Sequence, residues 1–220
     1  MYSAIGRRSL DQQSVPYCAL AVVTVTVILD IFFITGRYSE SSRLSLALVA
    51  FALTVYLFEG DLKALGLQAR PIQGWKVWVR TSLIIGIIIG FCICLGGGLW
   101  YLTGHQVPFH LIHPQDFNSA FMHMCFVAPV LEEAIYRLVI CVSLNRLMGE
   151  WKTIAISGIL FAVLHILYGN PSPENQLGGF FLAWAFLKSE TILLPFLLHS
   201  VGNFLVLTGK IALWYFLKMF

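Results

Sequence analysis

The stretch Pro129-Val130-Leu131-Glu132-Glu133-Ala134-Ile135-Tyr136-Arg137-Leu138-Val139-Ile140 sets two adjacent glutamates and an arginine inside an otherwise apolar run. Long apolar runs precede and follow it, so its natural setting is a helix in a lipid bilayer. An ionised side chain at the middle of a bilayer costs about 2.5–3.5 kcal/mol on insertion scales. Three of them between positions 132 and 137 persist only if other groups pair with them or use them. Further along, the sequence offers His165, His199 and Asn203.

The composition agrees with that setting. The chain has 220 residues, of which 58% are hydrophobic and 11% charged, and its mean hydropathy is +0.80. Soluble domains carry about 25% charged residues. The apolar runs are unbroken, whereas a transmembrane barrel alternates apolar and polar residues in strands of about ten. The fold class is therefore all-α, a polytopic transmembrane helical bundle forming one integral membrane domain over residues 1–220. A net charge of +3 spread among the loops gives no nucleic-acid footprint. Cys18, Cys92, Cys94, Cys125 and Cys141 lie in or beside apolar runs and form no CxxC pair, so they read as small lipid- or core-facing residues.

A span needs about 20 apolar residues. The candidates are Tyr17–Thr35, Leu44–Phe58, Val77–Leu102, Phe117–Leu147, Thr153–Tyr168, Leu177–Leu187 and Ile192–Leu207, the last running on toward Phe220. This predicts about seven spans, with six to eight allowed. The first follows Arg7 and Arg8 like a signal peptide, but it carries Asp30 and lacks a small-residue cleavage site, so it reads as a retained helix. Loop Lys and Arg residues predict a cytoplasmic N-terminus, with Arg37 and Arg43 dissenting. Trp75 and Trp78 suit the headgroup layer of an interfacial connection over Glu59–Arg80. Gly86, Gly90 and the run Gly96-Gly97-Gly98 permit close helix packing or a kink.

On a regular helix Glu133 and Arg137 lie within about 40° of each other, whereas Glu132 and Arg137 are about 140° apart. Glu133 is the natural partner of Arg137, and Glu132 is left to face a polar cavity as a general base or acid. His165 stands on the fifth span, with Phe161 one turn before it on the same face. His199 and Asn203 are four apart on the seventh, so both can donate to a single oxygen, as an oxyanion site requires. Gly202 between them admits a neighbouring helix. The plain alternative for each is an interhelical hydrogen bond worth about 0.6 kcal/mol.

Glu-Glu-x-x-x-Arg, then Phe-x-x-x-His, then His-x-x-x-Asn, on three spans in that order, resembles the CPBP family of intramembrane proteases. That family includes the type II CAAX prenyl endopeptidases and the bacterial Abi proteins. The resemblance covers about Phe117–Leu207, which would hold the catalytic helices. It implies that Glu132 activates water, that His165 shares that water, that His199 and Asn203 hold the carbonyl oxygen, and that Glu133 and Arg137 support them. Many relatives place Phe and then Arg-Gly at the end of the first motif, where this chain has Tyr136-Arg137-Leu138. The implied activity is endopeptidase cleavage of a membrane-embedded or lipidated protein substrate, in a bacterial or archaeal cell membrane.

Glu132, His165 and His199 would also make an adequate zinc set with one open position. There is no His-Glu-x-x-His pair, and the resemblance favours a glutamate-type route without a cofactor. His105, His110 and His113 cluster with Asp116 and read as helix caps at the interface. His123 reads as structural, and Asp30 and Glu190 as interfacial or paired. The competing function is a transporter, scaffold or immunity protein using the same polar cluster as a proton relay or partner site, although no inverted repeat is visible.

Overall fold

The computed structural model describes residues 14–104 and 111–218; Arg7, Arg8, His105 and His110 lie outside them. Among the described residues seven helical rods follow one another. They are α1 (Val15–Thr35), α2 (Glu40–Leu57), α3 (Trp75–Leu102), a continuous rod over 117–148 termed α4, α5 (Glu150–Leu167), α6 (Pro173–Ser189) and α7 (Leu193–Lys218). A single antiparallel bridge, Leu67 with Thr191, ties the α2–α3 connection to the start of α7. The architecture is the all-α membrane bundle expected from the sequence. Five of the rods, α1, α2, α3, α5 and α7, are individually long and apolar enough to cross a membrane.

The rod α4 is the axle. It is regular α-helix over Phe117–Met122, Ala128–Glu133 and Val142–Met148, and π-helix over His123–Val127 and Ala134–Cys141. Between Leu131 and Leu144 every residue except Ala134 is buried. Ile135, Ile140 and Leu144 pack with Val23 of α1, Ala47 of α2 and Phe161 and Leu164 of α5. Leu138, Cys141 and Val142 pack on a second side with Ala19, Leu57 and Ala183. A helix apolar on all sides must be enclosed by others, and the stretch of α4 over 131–144 satisfies that while carrying Glu132, Glu133 and Arg137.

The crossing of α5 and α6 depends on two glycines. A Cβ at Gly158 would run into the ring of Phe180, and one at Gly179 would lie 2.7 Å from Cβ of Phe161. The glycines singled out in the sequence do not act this way. A Cβ at Gly86, Gly90, Gly96, Gly97, Gly98 or Gly202 meets nothing within 4 Å among the described residues. The close approaches expected at Gly202 and along α3 are therefore not made among the described residues. α3 touches the bundle chiefly through Trp78, which packs with Ala185 and Leu194.

Trp78 ties the α2–α3 connection to the bundle. It is buried, donates from Nε1 to the Ile72 carbonyl at 2.8 Å, and meets Trp184 edge-on at 5.3 Å. An indole with its one donor satisfied packs as a core residue.

Asp30 and Arg43 are both buried and form a two-point ion pair at 2.7 and 3.3 Å. Arg43, which disagreed with the loop-charge pattern, is thus an internal charge matched by an internal carboxylate. Glu190 is also paired, accepting from Gln68 at 3.0 Å and standing 3.5 Å from Lys63. His113 accepts from the Gln115 backbone N–H at 3.2 Å, the capping role expected of it.

Candidate active site

Glu132 and Glu133 close the last regular turn of α4 before its π-helical stretch. The widened π turn does not break the local pairing, because Arg137 Nε still reaches Glu133 Oε2 at 3.0 Å. This is an ion pair by distance rather than an aligned hydrogen bond, since neither atom has a hydrogen-bond partner among the described residues. Arg137 is wholly buried, donates from Nη1 to Ser157 Oγ at 2.8 Å, and lies 5.4 Å from the centre of the Phe161 ring. Ser157 carries no chemical motif in the sequence, and only its place on α5 opposite Arg137 reveals its part.

Glu133 does more than neutralise Arg137. Its Oε1 stands 2.9 Å from His199 Nδ1. A carboxylate beside a guanidinium accepts only, so Nδ1 carries the hydrogen and donates. On α5, His165 Nδ1 lies 2.9 Å from the Phe161 carbonyl, again an acceptor only. Both histidines are therefore tethered through Nδ1, and both turn Nε2 toward the same atom. Glu132 Oε2 is 4.0 Å from His165 Nε2 and 3.7 Å from His199 Nε2.

Three helices thus bring together Glu132, His165 and His199. The rings are held by Phe161, tilted over His165 at 4.4 Å and edge-on to His199 at 5.8 Å. Tyr136 packs edge-on behind Phe161 at 5.4 Å. Glu132 Oε2 is buried and has no direct hydrogen bond among the described residues. Polar groups 3.7–4.0 Å apart are too distant for a direct bond but close enough to share one small polar molecule.

Asn203 has a backbone partner as well. Its Nδ2 donates to the Met124 carbonyl at 2.6 Å, inside the first π stretch of α4. His199 and Asn203 therefore do not share one acceptor here: His199 serves the glutamates and Asn203 the backbone. The amide nitrogen has a second hydrogen that Met124 does not use.

The zinc alternative can be tested on these distances. Ligands about 2.0 Å from a tetrahedral zinc stand roughly 3.3 Å from one another. The observed separations from Glu132 are wider, and among the described residues no group of three or more His, Cys, Asp or Glu side chains is arranged to hold a metal ion. His123 lies apart from this cluster and forms an exposed pair with Glu40 at the start of α2.

The membrane bundle thus converges two carboxylates and two imidazoles from three helices. Residues 114–205 match the family model described as type II CAAX prenyl endopeptidase Rce1-like. The match bears out the resemblance read from the three motifs, and its bounds enclose all of them. It supports intramembrane endopeptidase activity of the CAAX type. No curated protein and no solved structure matches the chain.

Proposed function

We propose that the protein is a glutamate-type intramembrane endopeptidase that cleaves a membrane-anchored, prenylated or otherwise lipidated, peptide. Glu132 is the base. A substrate water lies between Glu132 and His165, giving one hydrogen to the Glu132 carboxylate and the other, as a hydrogen bond, to His165 Nε2. As its oxygen attacks the scissile carbonyl carbon, the proton passes to Glu132. His199, as the imidazolium held through Nδ1 by Glu133, and the second amide hydrogen of Asn203 stabilise the oxyanion. Collapse breaks the C–N bond, and Glu132 returns the proton to the leaving amine.

The observation that carries this reading is the approach of both Nε2 atoms to Glu132 Oε2, each ring tethered through Nδ1. That arrangement presents His165 as an acceptor to a shared water, and it gives the buried carboxylate a proton-transfer role that its cost in a bilayer calls for.

The test compares membrane proteomes from cells carrying the wild type and Glu132→Ala. A truncated membrane protein present only with the wild type is the expected result. Indistinguishable proteomes, with both proteins folded, would overturn the proposal.

A further inference from the structure

The stripe of α5 that carries Phe161 and His165 continues to Tyr168. These positions are spaced i, i+4, i+7 and lie within about 60° on a helix. The chain beyond His165 is held to that stripe: Tyr168 N–H donates to the Leu164 carbonyl and Asn170 N–H to the His165 carbonyl, both at 2.9 Å.

Arg43 Nη1 donates to Tyr168 Oη at 2.8 Å while its Nε and Nη2 are fixed on Asp30. A guanidinium cannot accept, so the phenol oxygen accepts and its own hydrogen is directed elsewhere. Among the described residues it has no acceptor. A hydroxyl whose oxygen receives a charge-assisted bond is a strengthened donor. Asp30 and Arg43 are 1% and 4% exposed, whereas Tyr168 is 50% exposed. The network therefore has a closed end inside the bundle and an open end one turn from His165.

We infer that Tyr168 is a substrate-binding residue, donating its hydroxyl hydrogen to a backbone carbonyl of the bound peptide, with Arg43 and Asp30 as the positioning residues behind it. This rests on the endopeptidase reading above. The acceptor is a neutral carbonyl and not a carboxylate, because Asp30 already cancels the charge of Arg43.

The test uses wild type, Tyr168→Phe, Arg43→Lys and Glu132→Ala in liposomes with two fluorescence-quenched peptides, one S-farnesylated and one palmitoylated. Each peptide is supplied as the free acid and as the C-terminal amide. Tyr168→Phe is expected to raise KM about 10-fold, with kcat within about twofold of wild type, for acid and amide alike. Arg43→Lys should move KM in the same direction, and Tyr168→Phe should stay folded with a modestly lower melting temperature, because Arg43 Nη1 loses its acceptor. An unchanged KM, a loss confined to kcat, or a loss confined to the free acids would overturn the inference while leaving the endopeptidase reading intact. Failure of the wild type to cleave any of these peptides would overturn both.

Discussion

His199 touches both members of the glutamate pair, with Nδ1 2.9 Å from Glu133 Oε1 and Nε2 3.7 Å from Glu132 Oε2. One imidazole thereby links a carboxylate committed to Arg137 with one whose Oε2 has no hydrogen bond among the described residues. The adjacent glutamates acquire different duties from one neighbour. Glu133 holds the ring through the nitrogen that faces away from the chemistry, and Glu132 faces the other nitrogen.

Glu133→Gln is expected to damage both fold and activity. It strands Arg137, which is wholly buried, and breaking a buried ion pair costs about 3–5 kcal/mol. It also removes the carboxylate that holds His199 as the imidazolium, and loss of one oxyanion donor lowers kcat on the order of 10²-fold or more. Glu132→Gln should leave the melting temperature close to wild type, because Glu132 Oε2 makes no hydrogen bond among the described residues. Thermal unfolding in detergent compares the two, and equal melting temperatures would count against this division of roles.

Activity is expected to survive exhaustive chelation, because Glu132 and His165 handle the water's protons directly. The check is turnover of a quenched lipidated peptide before and after treatment with 1,10-phenanthroline. Loss that zinc restores would sink the glutamate-type route and would require the site to contract around the metal from the separations of 3.7 and 4.0 Å.

Asn203→Ala removes one proposed oxyanion donor, a change that costs about 10²–10³ in kcat where such donors have been deleted. It also takes the 2.6 Å hydrogen bond from the Met124 carbonyl, so a moderate loss of stability should accompany it. Steady-state kinetics separate the effects. A kcat that falls at constant KM supports the role, and an unchanged kcat in a destabilised protein would reduce Asn203 to a tie between α7 and α4.

Much of this was legible in the sequence, for identifiable reasons. Length and hydropathy placed the helices, because an apolar run in lipid has few alternatives to a helix. The spacing of Glu133 and Arg137 gave their pairing even though Arg137 stands in a π-helical stretch, since four residues return to the same side in either geometry. What could not be read is three-dimensional choice among partners. Glu133 reaching His199, Ser157 receiving Arg137 and Asn203 turning to Met124 all depend on how α5 and α7 meet α4. The glycines show the same limit. A Gly-rich helix advertises close packing, yet the glycines of α3 make none among the described residues, while Gly158 and Gly179 form the tight crossing.

That crossing yields a prediction about the site from a residue that carries no chemistry. A methyl at position 179 would lie 2.7 Å from Phe161 Cβ and 2.9 Å from its ring atoms. Phe161 would have to shift, and it is the ring tilted over His165 at 4.4 Å. Overpacking of this kind costs about 1–3 kcal/mol. Gly179→Ala is therefore expected to lower both the melting temperature and kcat, and the double variant with Phe161→Leu should recover part of each by clearing the space. Gly86→Ala, at a site with nothing within 4 Å, serves as the control and should change the melting temperature little. If Gly179→Ala behaves like that control in both unfolding and turnover, the α5–α6 crossing does not set the position of His165.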